Sequence, residues 1–266
     1  MAGALCHGDR VKIWLVQPAL RHEPSDHNLE VIRGHLRAVR ADIAPEDIVL
    51  LPERFELREH GTLYEDAMVE LARELGCTII AGSHREPRGA SAVNTGLVID
   101  GAGTILGRYE KLRPYGAERQ WVTPGTLLGE ITIASRRVLV LVCADFWFVD
   151  LVLRASAPPD LIAVPALSVT RQSTPDYSRA LWRHLAVARA YEFGSFVAVS
   201  DWSHRSALPL LAPAGVAGFA DPTPRDPERL FQPLGERPVA AFELDFEALE
   251  RFRADRRSRG FYFRDE

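Results

Sequence analysis

The sequence predicts an α/β fold containing a mixed β-sheet, and three observations carry that expectation. Short apolar runs at 11–17, 48–51 and 77–81 alternate with helical periodicity at 26–40 and 62–75, the pattern of parallel strands joined by crossover helices. Two further apolar runs, 92–100 and 104–109, are separated only by a tight turn at Asp100-Gly101 and must pair antiparallel. Between 137 and 142 the chain is almost wholly β-branched or leucyl, as a strand covered on both faces is.

Taken in order, Val11 to Gln17 is a first strand, and Leu29, Ile32, Leu36 and Val39 recur at helical spacing in the segment that follows. The 48–51 strand ends just before Glu53. The second helix, Thr62 to Leu75, is stopped by Gly76 and leads into the 77–81 strand. Gly101-Ala-Gly-Thr-Ile-Leu-Gly107 lacks the spacing of a dinucleotide-binding loop and reads as part of the hairpin. A short helical turn at 150–155 and a buried strand at 161–164 follow the 137–142 strand. Thr174-Pro175-Asp176 marks a helix start, with Thr174 as cap and a carboxylate near the positive end of the dipole, and the helix runs to Phe193. Strands are expected at 196–199, 207–211 and 216–219, a surface loop at 221–227, a last strand at 238–244 and a last helix at 246–257. No repeat or low-complexity stretch interrupts residues 1–266, which read as a single domain.

Composition excludes several function classes. A net charge of −4 gives no attraction to nucleic acid or to an anionic membrane. Residues 1–10 lack the apolar centre of a signal peptide, and no apolar run approaches the roughly 18 residues of a membrane span, so a cytoplasmic location is expected. Cys6, Cys77 and Cys143 form neither a disulfide framework nor a zinc site, and the eight histidines show no His-Glu-x-x-His spacing. No metal and no other cofactor is expected. Arg251, Arg253, Arg256, Arg257 and Arg259 are interleaved with Asp245, Glu247, Glu250 and Asp255, so that helix reads as a solvated face or subunit contact rather than a phosphate-binding patch.

Three residues stand at the ends of apolar strands, and their types match one chemistry. Cys143 ends the 137–142 run; singly, such a cysteine is more often inert core. Glu53 closes Ile48-Val-Leu-Leu-Pro-Glu53 in the same way, and could singly be a helix cap. Lys111 is one of only two lysines, with Lys12, among 32 basic residues. A compact ammonium does what a guanidinium fork cannot, although two chance survivors would look alike. Together the three supply a nucleophile, a proton carrier and an oxyanion partner.

Leu51-Pro52-Glu53, Tyr109-Glu110-Lys111 and Val142-Cys143-Ala144-Asp145 resemble the Glu-Lys-Cys triad of the nitrilase, or carbon-nitrogen hydrolase, superfamily. The segments 118–125 and 188–200 are similar to further passages of that family, so the likeness runs along nearly the whole chain. It implies a four-layer α-β-β-α sandwich with mixed sheets, where periodicity alone stops at α/β. It also implies hydrolysis of a linear, non-peptide C–N bond, in an amide or N-carbamoyl substrate, through a cysteinyl thioester. Cys143 would attack as thiolate, favoured by an adjacent base and by Lys111, and Glu53 would carry the proton. Lys111 and the Ala144 N–H would hold the oxyanion. Glu118, the family's second glutamate, would orient Lys111 or water. A homodimer or larger homo-oligomer is implied by the resemblance alone.

The segment after the nucleophile departs from the common family pattern, reading Ala144-Asp145-Phe146-Trp147-Phe148. Phe146 and Trp147 are candidate walls of a substrate pocket, against the alternative of core packing. Asp145 is expected to accept backbone hydrogen bonds in its turn. Arg171 lies where carbamoylase-like members approach a substrate carboxylate, and an ordinary surface arginine is the alternative. Two other functions use the same residues or scaffold: acyl transfer to an amine, and a non-catalytic binding protein.

Overall fold

The computed structural model describes residues 11–57 and 61–263; Cys6 and the rest of residues 1–10 lie outside them. The strands and helices, in order, are β1 (Lys12–Val16), α1 (His27–Ala38), β2 (Ile48–Leu50), α2 (Gly61–Leu75), β3 (Thr78–Ile80), β4 (His84–Arg88), β5 (Ser91–Ile99), β6 (Ile105–Glu110), β7 (Gly129–Ile133), β8 (Arg136–Val140), α3 (Val149–Leu153), β9 (Leu161–Pro165), β10 (Val169–Thr170), α4 (Asp176–Phe193), β11 (Phe196–Ser200), β12 (Ala212–Pro213), β13 (Gly218–Ala220), β14 (Phe231–Pro233), β15 (Val239–Glu243) and α5 (Phe246–Ser258).

Two mixed sheets result. In the first, β1, β2 and β3 run parallel, with β15 antiparallel to β1 and β5 antiparallel to β3. The long β5 also takes β4 beside its first half, Ser91 to Thr95, and β6 beside its second, Thr95 to Ile99. The second sheet has the order β14-β13-β11-β9-β8-β7, with β8, β9 and β11 parallel and antiparallel strands on either side. β10 and β12 form a separate two-stranded pair.

Alternation along the strands explains why both faces of the first sheet are apolar. Ile13, Leu15, Ile48, Leu50, Ile80 and Val98 pack with residues of the second sheet such as Val138, Leu161 and Val197. Trp14, Val16, Val49, Leu51, Ile79 and Leu97 turn the other way, onto Leu29, Ile32 and Leu36 of α1 and Tyr64, Met68 and Leu71 of α2. On the outer side of the second sheet, α4 buries Trp182, Ala186, Ala190 and Phe193. The layers are those of an α-β-β-α sandwich.

Several expected elements differ. No strand forms at 207–211: Pro209 cannot donate to a ladder, Leu210 is 87% exposed, and only a single bridge joins Ala207 to Arg21. Thr174 does not cap α4; its hydroxyl donates to the Asp176 carboxylate at 2.9 Å, and Pro175 takes the cap position. The strands β4, β7, β10, β12 and β14 have no counterpart among those the sequence predicts. β4 carries Arg85, Glu86, Pro87 and Arg88 on a strand whose charge and proline suit an edge.

The arginines of α5 are not all solvated. Arg253 is buried and donates to Asp160 at 2.6 Å, to the Pro159 carbonyl at 2.7 Å and to the Gly194 carbonyl at 2.8 Å. Arg256 is also buried, with Tyr191, Phe252 and Phe261 around its guanidinium. Arg253→Met is expected to destabilise the protein by about 3–5 kcal/mol, because it strands the buried Asp160 carboxylate. Arg251→Met, at an exposed position, should change the unfolding midpoint little. Denaturant titration of both variants checks this, and equal losses would contradict it.

Candidate active site

The ends of three strands converge on one point. Glu53 follows β2, Lys111 follows β6, and Cys143 opens a 3-10 turn, Cys143–Trp147, shortly after β8. Glu118 comes from a second 3-10 turn, Gly116–Gln120. In sheets with parallel strands, ligands are bound beyond the carboxyl ends of those strands.

At the centre is an ammonium held by two carboxylates. Lys111 Nζ donates to Glu53 Oε1 and to Glu118 Oε2, both at 2.7 Å. Glu53, Lys111 and Glu118 are 2%, 3% and 7% exposed, so water screens this cluster little. Asn94, from the middle of β5, donates through Nδ2 to Glu53 Oε1 at 2.8 Å and to Glu118 Oε1 at 3.0 Å. Burial opposes the charge on Lys111, yet Glu53, Cys143 and Glu118 raise it well above the ordinary lysine value. For Glu118, burial pushes upward and is outweighed by Lys111 and Asn94, which leave it below the usual glutamate range. Lysine and both glutamates thus suit each other only as a set.

Cys143 lies against this cluster with φ +50°, in the left-handed region that favours glycine. Its Sγ is 3.7 Å from the Leu167 carbonyl oxygen. Burial first, and Glu53 next, push the thiol well above the ordinary cysteine value, with Lys111 offsetting only part. The direction of this shift favours the thiol, so forming the thiolate depends on a base that takes its proton. The Ala144 N–H is the second in its turn, where helical N–H groups lack an intrahelical acceptor.

The supports of the site come from the second sheet. The Leu167 N–H donates to Glu53 Oε2 at 3.0 Å, and Trp202 Nε1 donates to the Glu53 carbonyl at 2.8 Å. Buried Asp201 accepts from the N–H and hydroxyl of Ser168 and from the Val216 N–H, fixing the loop that carries Leu167. Asp145 does accept backbone hydrogen bonds, but from the lysine loop rather than its own turn: the Leu112 N–H at 3.0 Å and the Arg113 N–H at 2.7 Å. Burial raises its carboxyl to about 6 in spite of both donors.

Of the expected substrate contacts, Ala144 follows Cys143 in the 3-10 turn and is buried. Phe146 is not a pocket wall: it is fully buried, stacked on Trp182 at 5.9 Å, and packs in the core. Trp147 is 40% exposed and meets Trp182 edge-on. Arg171 donates to the Tyr115 hydroxyl at 3.2 Å, and the Tyr115 N–H in turn donates to Glu118 Oε2 at 3.1 Å. Arg171 is thus linked to Glu118 through Tyr115, by its hydroxyl on one side and its main chain on the other. Among the described residues, no group of three or more His, Cys, Asp or Glu side chains is placed to hold a metal ion. No described helix is long and apolar enough to cross a membrane.

Sequence reasoning missed Asn94, Leu167, Asp201 and Trp202. For Asn94 a signal existed, a lone amide inside the apolar strand Ser91-Ala-Val-Asn-Thr-Gly-Leu-Val-Ile99. Leu167 acts through its main chain and has no signature in its side chain.

A family model for carbon-nitrogen hydrolases matches residues 15–204. The chain belongs to that family. Its fold is shared by other proteins of the nitrilase superfamily at low sequence identity. Nit3 of Saccharomyces cerevisiae, a member of branch 10 of the superfamily, has a TM-score of 0.76 and 19% identity, over 92% of this chain and 94% of that one. A double mutant of the amidase from Nesterenkonia sp. AN1, in complex with acrylamide, has a TM-score of 0.73 and 22% identity, over 97% and 100%. The C. elegans NitFhit protein has a TM-score of 0.72 and 19% identity, over 96% of this carbon-nitrogen hydrolase and 65% of NitFhit. A comparison with curated proteins finds no match.

Proposed function

We propose that this carbon-nitrogen hydrolase cleaves a linear amide or N-carbamoyl group through a thioester on Cys143. The observation that carries the reading is the Lys111 ammonium, bonded at 2.7 Å to each of two buried glutamates, beside a cysteine in a strained turn. Cys143 sulfur attacks the carbonyl carbon while its proton passes to Glu53. Lys111 Nζ and the Ala144 N–H take the negative charge that develops on oxygen. As the C–N bond breaks, Glu53 returns the proton to the departing nitrogen. Water then attacks the thioester with Glu53 as base, and the sulfur leaves to recover its proton. Glu118 holds Lys111 in place throughout. A thiol that ionises only upon attack needs such a base within reach, and the raised Cys143 supports this sequence of events.

The test is intact-protein mass spectrometry of the wild type and Cys143→Ala after brief exposure to amides, N-carbamoyl amino acids and nitriles. The similar amidase is described with acrylamide added to its active-site cysteine, so acrylamide joins the panel as a thiol probe. A mass increment on the wild type alone, decaying with release of ammonia or amine, is the expected result. Product made only with an added amine would mean acyl transfer. No adduct and no release would overturn the catalytic reading.

Arg171 and Tyr115 supply a selective element in this proposal. A guanidinium braced by the phenol of Tyr115, whose main chain is bonded to Glu118, suits a substrate carboxylate remote from the scissile bond. Arg171→Ala is expected to raise KM for acidic amides by about 10–100-fold, the worth of a charged hydrogen bond, with kcat little changed. Steady-state kinetics on paired acidic and neutral amides checks this, and equal KM changes for both would contradict it.

A further inference from the structure

Asn94 is fully buried, and its side chain is used in only one direction. Both of its amide bonds go to carboxylates, to Glu53 Oε1 and Glu118 Oε1, while its own Oδ1 is buried without a hydrogen-bond partner among the described residues. The reverse orientation would set that oxygen against two carboxylate oxygens. A residue serving only to fill the strand would be better apolar, because an unpaired buried carbonyl is costly. The main chain of Asn94 has a separate structural duty, accepting the Lys111 N–H at 2.8 Å. That duty survives any change of side chain.

We propose that Asn94 is a positioning residue of this enzyme: its amide bridges Glu53 and Glu118 over the Lys111 ammonium and orients the Glu53 carboxylate to receive the Cys143 proton. The inference rests on the thioester reading of the site. It goes beyond that reading by assigning the proton carrier's geometry to a neutral side chain in the middle of β5. The charged and titratable groups facing the bridge are Lys111 from the end of β6, Glu118 from the 3-10 turn, Glu53 from the segment after β2, and Cys143 and Asp145 from the turn after β8. Asn94 is the neutral donor shared by both glutamates, and a donor to the ionised form favours that form. Its removal makes Glu118 easier to protonate and takes from Glu53 one of the donors that orient it, leaving Lys111 and the Leu167 N–H.

The experiment follows the rate of iodoacetamide alkylation of Cys143 between pH 4 and 8 in wild type, Asn94→Ala and Asn94→Ser, with the modified site assigned by peptide mapping. The acid limb of the profile is expected to move up by about one pH unit in Asn94→Ala, roughly a tenfold slower reaction at pH 5. Asn94→Ser, which keeps one donor, should lie between. With a turned-over amide, kcat should fall and KM should hold. Because alkylation needs no substrate, this arm still reads Asn94 if every amide in the panel fails, so the two proposals fail separately. An unmoved acid limb in folded variants overturns the inference. So does failure of both variants to fold, which would make Asn94 a purely structural residue.

Discussion

Lys111→Met is expected to abolish amide turnover and to destabilise the fold by about 3–5 kcal/mol, the cost of leaving a buried charge without its partner. In the wild type one ammonium serves two carboxylates. Without it, Glu53 and Glu118 keep only neutral donors, the Asn94 amide and the Leu167 and Tyr115 N–H groups, and protonation of one carboxylate becomes the cheaper way to bury the pair. The sign of the pH response follows. In the wild type Glu118 lies below its ordinary value of 4.5, so its contribution is full above about that pH and is lost as the pH falls through the lower, folded value. In Lys111→Met a carboxyl of the pair is raised instead, so its contribution is complete below the ordinary value and is lost as the pH rises through the new one. The gap in Tm between the two proteins should therefore narrow toward pH 4 and widen toward pH 8. Calorimetry across that range decides it, and parallel curves would show that the ammonium does not neutralise the pair.

Cys143→Ala carries the largest expected effect on rate, a loss of about 10⁴-fold or more in kcat, since no other group here can form the thioester. Its effect on stability should be small, and the glycine variant tests the strain. At φ +50° alanine bears the left-handed penalty and glycine does not. Cys143→Gly should be equally inactive yet more stable than Cys143→Ala by about 0.5–1 kcal/mol, after allowing for the extra chain entropy of glycine. Thermal unfolding of the two variants measures the difference. An alanine variant as stable as the glycine variant would mean that the turn relaxes once the sulfur is gone.

The proposed catalytic residues Glu53, Lys111 and Cys143 were legible only jointly, as chemistry-bearing side chains closing strands in the order of the carbon-nitrogen hydrolase motifs, since each alone has a structural reading; the first sheet's helices followed from spacing. Asn94 was not legible, because its meaning arises when β5 sets it beside Glu53, 41 positions earlier, and Glu118, 24 positions later. Arg253 was misjudged for the opposite reason. Its neighbours on α5 include the exposed Arg251 and Arg257 as well as the buried Arg256, and nothing in residue type distinguishes the one that turns toward Asp160. Phe146 and Trp147 are adjacent in sequence yet face the core and the solvent, a division set by the 3-10 turn that Cys143 opens.

At Leu167, one residue holds both partners of the first proton transfer, with its N–H on the glutamate and its carbonyl facing the sulfur. Neither contact involves the side chain. The Leu167 side chain instead packs against the apolar cluster between the first sheet and its helices, so a change of side chain acts on packing while the main chain still registers Glu53 and Cys143 to one another. Proline is the exception, having no N–H to give. Apolar replacements at position 167 should accordingly keep the site in register, whereas Leu167→Pro should lose it.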